Sequence, residues 1–162
     1  MKIGVISDTH IPDKAEFLPK KVIDAFKNVD MVIHTGDFVD LETYNHLKKI
    51  CPNLKAVAGN MDPKEIKEKL PEKEIIKVGK YSIGIAHGIG HPSGLVDLLK
   101  NIFRKDSVDI IVFGHSHMPM NQIIDGILFF NPGSPTDKIF SPYNSYGIIE
   151  INEKITAEVV KI

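Results

Sequence analysis

Five apolar runs rich in β-branched residues, Lys2 to Ser7, Met31 to Thr35, Leu54 to Ala58, Tyr81 to Ala86 and Asp109 to Phe113, each stop abruptly at a short polar segment. Runs this short and this apolar have no polar face to offer water, so they predict strands covered on both sides. Between the first three lie Leu18 to Asn28 and Leu41 to Ile50, both helical in character, the former with Val22, Ile23 and Phe26 on one side. Such alternation of strand and helix predicts the α/β class.

Further along, Ser93 has the chemistry of an N-cap, and Leu95, Leu98, Leu99, Ile102 and Phe103 follow at the three-and-four spacing of one helical face. The chain after Asn121 reads as strands joined by tight turns: Gln122 to Ile124, Asp125-Gly126, Ile127 to Phe130, then Tyr146 to Ile151 and Thr156 to Ile162. Asp-Gly between apolar runs is a hairpin signal. Gly79-Lys80 predicts another hairpin, joining Glu74 to Val78 with Tyr81 to Ala86. The architecture expected is a two-sheet sandwich flanked by helices, one domain over residues 1–162, without repeats or a linker to divide it.

A chain of 162 residues with 43% hydrophobic content can bury a core without covalent staples. The single Cys51 cannot pair within the chain, which favours a reducing compartment and an idle thiol. An acidic residue closes the first apolar run too early for a signal peptide. No stretch approaches the roughly 20 apolar residues of a membrane-spanning helix, and a net charge of -1 supplies no polycation for nucleic acid. The expectation is a cytoplasmic globular protein with neither a membrane nor a specific nucleic acid as partner.

The polar segments that end the five runs carry the chemistry. They read Asp8-Thr9-His10, Gly36-Asp37, Gly59-Asn60, His87-Gly88 and Gly114-His115-Ser116-His117. In open α/β sheets the strand C-termini form the ligand crevice, so seven potential ligands converge: Asp8, His10, Asp37, Asn60, His87, His115 and His117. Imidazole and carboxylate together suit Mn, Ni, Fe, Co or Zn rather than a thiolate site or a calcium cage. One ion cannot use seven ligands, but two ions bridged by a carboxylate, roughly 3.5 to 4 Å apart, can. The glycines before Asp37, Asn60 and His115 are read as tight-turn residues. Taken singly these dipeptides are ordinary turn formers. Their joint occurrence at strand ends, with two histidines projecting to one side of an extended segment, carries the metal reading.

In this order the motifs resemble the calcineurin-like metallophosphoesterase superfamily, and the short length and Asn131-Pro132-Gly133-Ser134 resemble its small bacterial and archaeal phosphodiesterases. The resemblance implies two divalent ions per chain. One is held by Asp8, His10, Asp37 and His117, the other by Asp37, Asn60, His87 and His115, with Asp37 bridging. It also implies a phosphoester small molecule as substrate, hydrolysed by in-line attack of a hydroxide shared between the ions. On that reading Asp37, Asn60 and His115 are the candidate catalytic residues, and small relatives add homo-oligomerisation as an expectation. One departure stands out: where many members have Gly-Asn-His-Asp, this chain has Gly59-Asn60-Met61-Asp62, and Met61 has no proton to give. Asp62 is read as a turn or supporting contact. His91, Asn131 and Ser134 are candidate substrate contacts, while His34 is read as a satisfied core histidine and His46 as a helix-surface residue.

Two other classes of function compete. A non-catalytic protein-interaction scaffold on the same fold exists in the small phosphoesterase-like subunit of the retromer coat, but that subunit lacks several ligands and all seven are filled here. A nucleotide-binding domain lacks support, since neither Gly-x-Gly-x-x-Gly nor Gly-x-x-x-x-Gly-Lys-Ser/Thr occurs.

Overall fold

A computed structural model describes all residues, 1–162. The first sheet has the strand order β10-β9-β1-β2-β3. It comprises β1 (Lys2–Ile6), β2 (Met31–His34), β3 (Leu54–Ala56), β9 (Ser145–Ile151) and β10 (Ile155–Lys161). The second runs β4-β5-β6-β8-β7, from β4 (Lys73–Val78), β5 (Tyr81–Ala86), β6 (Ile110–Val112), β7 (Met120–Ile124) and β8 (Ile127–Asn131). Each sheet has a parallel centre, β1-β2-β3 in one and β5-β6-β8 in the other, with antiparallel strands beyond.

Period-two alternation explains how the sheets stack. Ile3 and Val5 of β1 face a shared core with Ile83, Ile85, Ile110, Val112 and Ile149. Ile6 turns to the opposite layer, with Val22 and Phe26 of α1 (Lys20–Phe26) and Leu47 of α2 (Leu41–Ile50). Outside the second sheet, Leu95 and Leu99 of α4 (Leu95–Ile102) pack on Ile111, Phe113 and Phe129. The molecule is thus a helix-sheet-sheet-helix sandwich, as the alternation predicts, and no helix is long and apolar enough to cross a membrane.

The differences are local. A two-turn helix, α3 (Lys64–Lys69), has only Ile66 buried and therefore shows no amphipathic stripe in the sequence. Ser93 does not cap α4: it lies in a 3-10 turn (Pro92–Gly94), whose preceding residue His91 accepts the Ser93 N–H on its own ring. The Asp125-Gly126 hairpin forms as predicted, with positive φ at both residues.

Candidate metal centre

Parallel strands β1, β2 and β3 and the parallel centre of the second sheet end on the same rim, and all seven predicted ligands lie in the loops that leave them. Asp37 is central. Its Oδ2 lies 3.6 Å from His10 Nε2 and 3.2 Å from His87 Nε2, so it stands between a histidine of each predicted ligand set. His117 Nε2 is 3.3 Å from Asp8 Oδ1 and 3.3 Å from His10 Nε2. Asn60 Oδ1 lies 3.1 Å from His87 Nε2 and 2.9 Å from His115 Nδ1. Asp8, His10 and His117 form one compact cluster of ligand atoms, and Asp8, Asp37 and His87 another. Asp8 therefore borders both halves of the centre, its Oδ1 being 3.8 Å from His87.

The far nitrogen of each of three rings decides what the near one offers. His87 Nδ1 meets the Thr35 carbonyl at 2.7 Å, His115 Nε2 meets the Gly90 carbonyl at 2.9 Å, and His117 Nδ1 meets the carboxylate of Asp137. Carbonyls and carboxylates only accept, so those nitrogens carry the protons and lone pairs point inward. Lone pairs of imidazole then face carboxylate oxygens at 3.2 to 3.3 Å. Such a cluster is relieved by a cation or by extra protons, which is the donor set a borderline divalent ion fits.

Protonation in the metal-free protein follows the same logic. Burial works to lower the pKa of His87, but its bond to Asp37 and the charges of Asp8 and Asp37 prevail and raise it to about 9. Burial likewise opposes, and Asp8 and Asp137 reverse, the shift of His117, which ends above the usual histidine value. Burial would raise Asp8, yet His117, His87 and the Ser7 hydroxyl hold it at about 2. His10 is lowered, chiefly by burial.

The backbone here is strained to serve the side chains. Of seven non-glycine residues with positive φ, five are predicted ligands: Asp8, His10, Asp37, His115 and His117. Conformations of this kind cost on the order of 1 kcal/mol or more each and concentrate at functional sites. The role of the glycines needs correction. Of the three that precede Asp37, Asn60 and His115, only Gly36 has the positive φ of a tight turn. Gly59 and Gly114 instead provide room: a Cβ on Gly59 would lie 2.1 Å from Asp37 Oδ1, and one on Gly114 1.9 Å from Ser7 Oγ and 2.7 Å from Asp8 Oδ2.

Asp62 supports the centre from beneath. It is 3% exposed, and its Oδ2 accepts the N–H groups of Asp37 (3.0 Å) and Gly59 (2.7 Å) while Oδ1 accepts Val39 N–H (2.9 Å). One carboxylate thus ties the loop carrying Asp37 to the loop carrying Asn60. Met61 N–H donates to Asp37 Oδ1 at 2.8 Å, while its side chain is exposed at the rim. His34 is a core histidine, as predicted. Gly36 N–H donates to its Nδ1, so Nε2–H donates to Thr9 Oγ1, the ring stacks on Phe38, and burial holds its pKa well down. His46 is exposed on α2, as predicted.

The three candidate substrate contacts do not join the ligands. Asn131 and Ser134 are fully buried. Asn131 Nδ2 donates to the Gly114 carbonyl and Ser134 Oγ to the Asp8 carbonyl, so both brace ligand loops from behind instead of facing the pocket. His91 is exposed and bonded to Ser93, outside the residues lining the cavity over the centre. That open cavity, about 430 Å³, has His10, Asp37, Asn60, His115 and His117 on its floor, with Lys14, Met61, Pro92 and Phe140 around it. Asp137 is the residue that sequence reasoning missed, since nothing in Asn-Pro-Gly-Ser-Pro-Thr-Asp signals a buried carboxylate.

Known proteins share the sequence and the fold of this chain. A protein of Methanocaldococcus jannaschii named probable metallophosphoesterase is 40% identical over 163 aligned positions, covering 100% of this chain and 82% of its own. A phosphodiesterase of the same organism is 30% identical, covering 99% of each. The Vps29 of Entamoeba histolytica, solved in complex with zinc, superimposes with a TM-score of 0.76 at 27% identity over 99% of each chain. The domain profile of the calcineurin-like phosphoesterase superfamily matches residues 1–154, and with these relatives it makes the chain a member of that superfamily.

Proposed function

We propose that this chain is a cytoplasmic, dinuclear metal-dependent phosphodiesterase acting on a small phosphoester, with residues 1–162 as one catalytic domain. The observation that carries the reading is the position of Asp37 Oδ2 between His10 and His87. Asp8, His10, Asp37 and His117 would hold one ion, and Asp37, Asn60, His87 and His115 the other, drawn from Mn, Ni, Fe, Co or Zn. A bound ion pair of this type supplies charge stabilisation for phosphoryl oxygens and lowers the pKa of water from 15.7 to roughly 7.

The remaining roles belong to the chain. Thr35, Gly90 and Asp137 keep the rings turned with lone pairs inward. Asp62 ties the backbone of Asp37 to that of Gly59, beside Asn60, and Met61 N–H holds Asp37 Oδ1. The cavity size falls within the usual range for small-molecule sites, and its mouth pairs one cation, Lys14, with the apolar Met61 and Phe140. Met61 gives no proton to a departing alkoxide, which favours diesters whose leaving group is stable once released. The phosphodiesterase name of a 30% identical relative supports the diester assignment.

The test is hydrolysis of bis-p-nitrophenyl phosphate by purified protein loaded with each ion in turn. Activity with at least one of them, and its near-complete loss in Asp37→Ala, is expected; a fully active Asp37→Ala would refute the assignment. A second reading, an interaction scaffold with a vestigial centre, is favoured by the Vps29 likeness and by Phe140, 67% exposed beside the ligands. It predicts no turnover with any of these ions, even where an ion binds, as zinc does in that Vps29.

A further inference from the structure

We propose that Asp137 is a positioning residue that orients His117 from behind and makes the Asp8–His10–Asp37–His117 side the tighter of two ion sites. This rests on the dinuclear reading above. Asp137 is fully buried, and its Oδ2 bonds Nδ1 of His117, the ring face opposite the one turned to Asp8 and His10.

The placement is built, since every other polar atom of the residue is occupied. Oδ1 accepts the Ile139 N–H at 2.9 Å and lies 3.6 Å from Lys14 Nζ. The backbone N–H donates to Ser134 Oγ, and the carbonyl accepts from Asn144 Nδ2. Ser134 and Thr136 in turn donate to the carbonyls of Asp8 and Thr9. The turn carrying Asp137 is therefore stitched to the loop carrying Asp8 and His10, and its position follows theirs.

The two halves of the centre differ in charge. On the Asp8 side two carboxylates face the ion and a third stands behind a ring. On the other side Asp37 is the one charged member of the ligand set, Asp8 reaching it only at 3.8 Å from His87, Asn60 is neutral, and the rings are backed by the carbonyls of Thr35 and Gly90. A carboxylate behind a ligating imidazole fixes its tautomer and raises its basicity, and losing such a partner typically weakens metal binding about 10- to 100-fold. Lys14 offsets part of this charge, but at 3.6 Å and with its side chain partly in solvent it does so less than the buried bond to His117.

Calorimetric titration of metal-stripped protein with manganese decides the matter. Wild type should bind two ions in separable steps, and Asp137→Asn should weaken the first by about 10- to 100-fold while leaving the second unmoved. In ring 1H–15N spectra of wild type, one equivalent of zinc should shift His10 and His117 before His87 and His115, with His117 protonated on Nδ1. An unchanged first step in Asp137→Asn, or equal weakening of both, overturns the proposal. Should that variant not fold without metal, the wild-type spectra decide, and a His117 unprotonated on Nδ1, or His87 and His115 shifting first, overturns it. A wild type that binds no ion would defeat the dinuclear reading instead.

Discussion

Asp62 offers the sharpest quantitative prediction, because one buried side chain accepts from three backbone N–H groups of two different loops. Replacement by alanine leaves all three without their acceptor. Hydrogen bonds to charged groups contribute roughly 1.5 to 3 kcal/mol each. Water entering the space would recover part of that loss, so we expect about 4 kcal/mol of destabilisation. Asp62→Asn retains one carbonyl oxygen, able to serve Asp37 and Gly59 more weakly, but turns an amide toward Val39 N–H; about 2 kcal/mol is expected there. Urea denaturation of the metal-free proteins measures this without the contribution of bound ions. The order alanine, then asparagine, then wild type is required, and alanine within about 1 kcal/mol of wild type would refute the claim that Asp62 holds the loops together.

Gly114→Ala, whose Cβ would meet Ser7 and Asp8, should melt several degrees lower and lose ion affinity, whereas Gly94→Ala, with open space around it, should match wild type in both. The pH dependence follows from His87. Its ring is held near 9 in the fold against 6.5 when free. The metal-free fold therefore keeps this stabilisation in full below pH 6.5 and loses up to about 3 kcal/mol as pH rises through 9; a denaturation midpoint flat over that window would contradict it. Affinity for the ion that His87 would hold should rise across the same interval, since that ion must displace the proton. Met61→His should raise hydrolysis of alkyl diesters relative to aryl diesters by about tenfold or more if a proton donor is what the rim lacks, and an unchanged preference in steady-state kinetics removes Met61 from the account.

The sandwich was legible because its central strands are buried on both faces and bounded by turn residues, as in the run from Met31 to Thr35. The convergence of the seven candidate ligands was legible too, since each follows a strand of the parallel centres, and such strand ends share one rim. Helix α3 was not, because with one buried residue it has no periodicity to detect. Nor were the supporting groups. Asp62, Asn131, Ser134 and Asp137 act through backbone N–H groups, carbonyls and a ring nitrogen brought near by the fold, and such partners leave no spacing in the chain. The same blindness explains why Gly59 and Gly114 read as turns: their requirement is a neighbour's side chain from another strand.

The central claim is that Asp37 bridges a pair of cations. Crystals grown with manganese, measured for anomalous scattering, test it most directly. Two peaks roughly 3.5 to 4 Å apart, both within bonding distance of the Asp37 carboxylate, are predicted. A single peak, peaks that do not share Asp37, or none at saturating manganese would contradict the account.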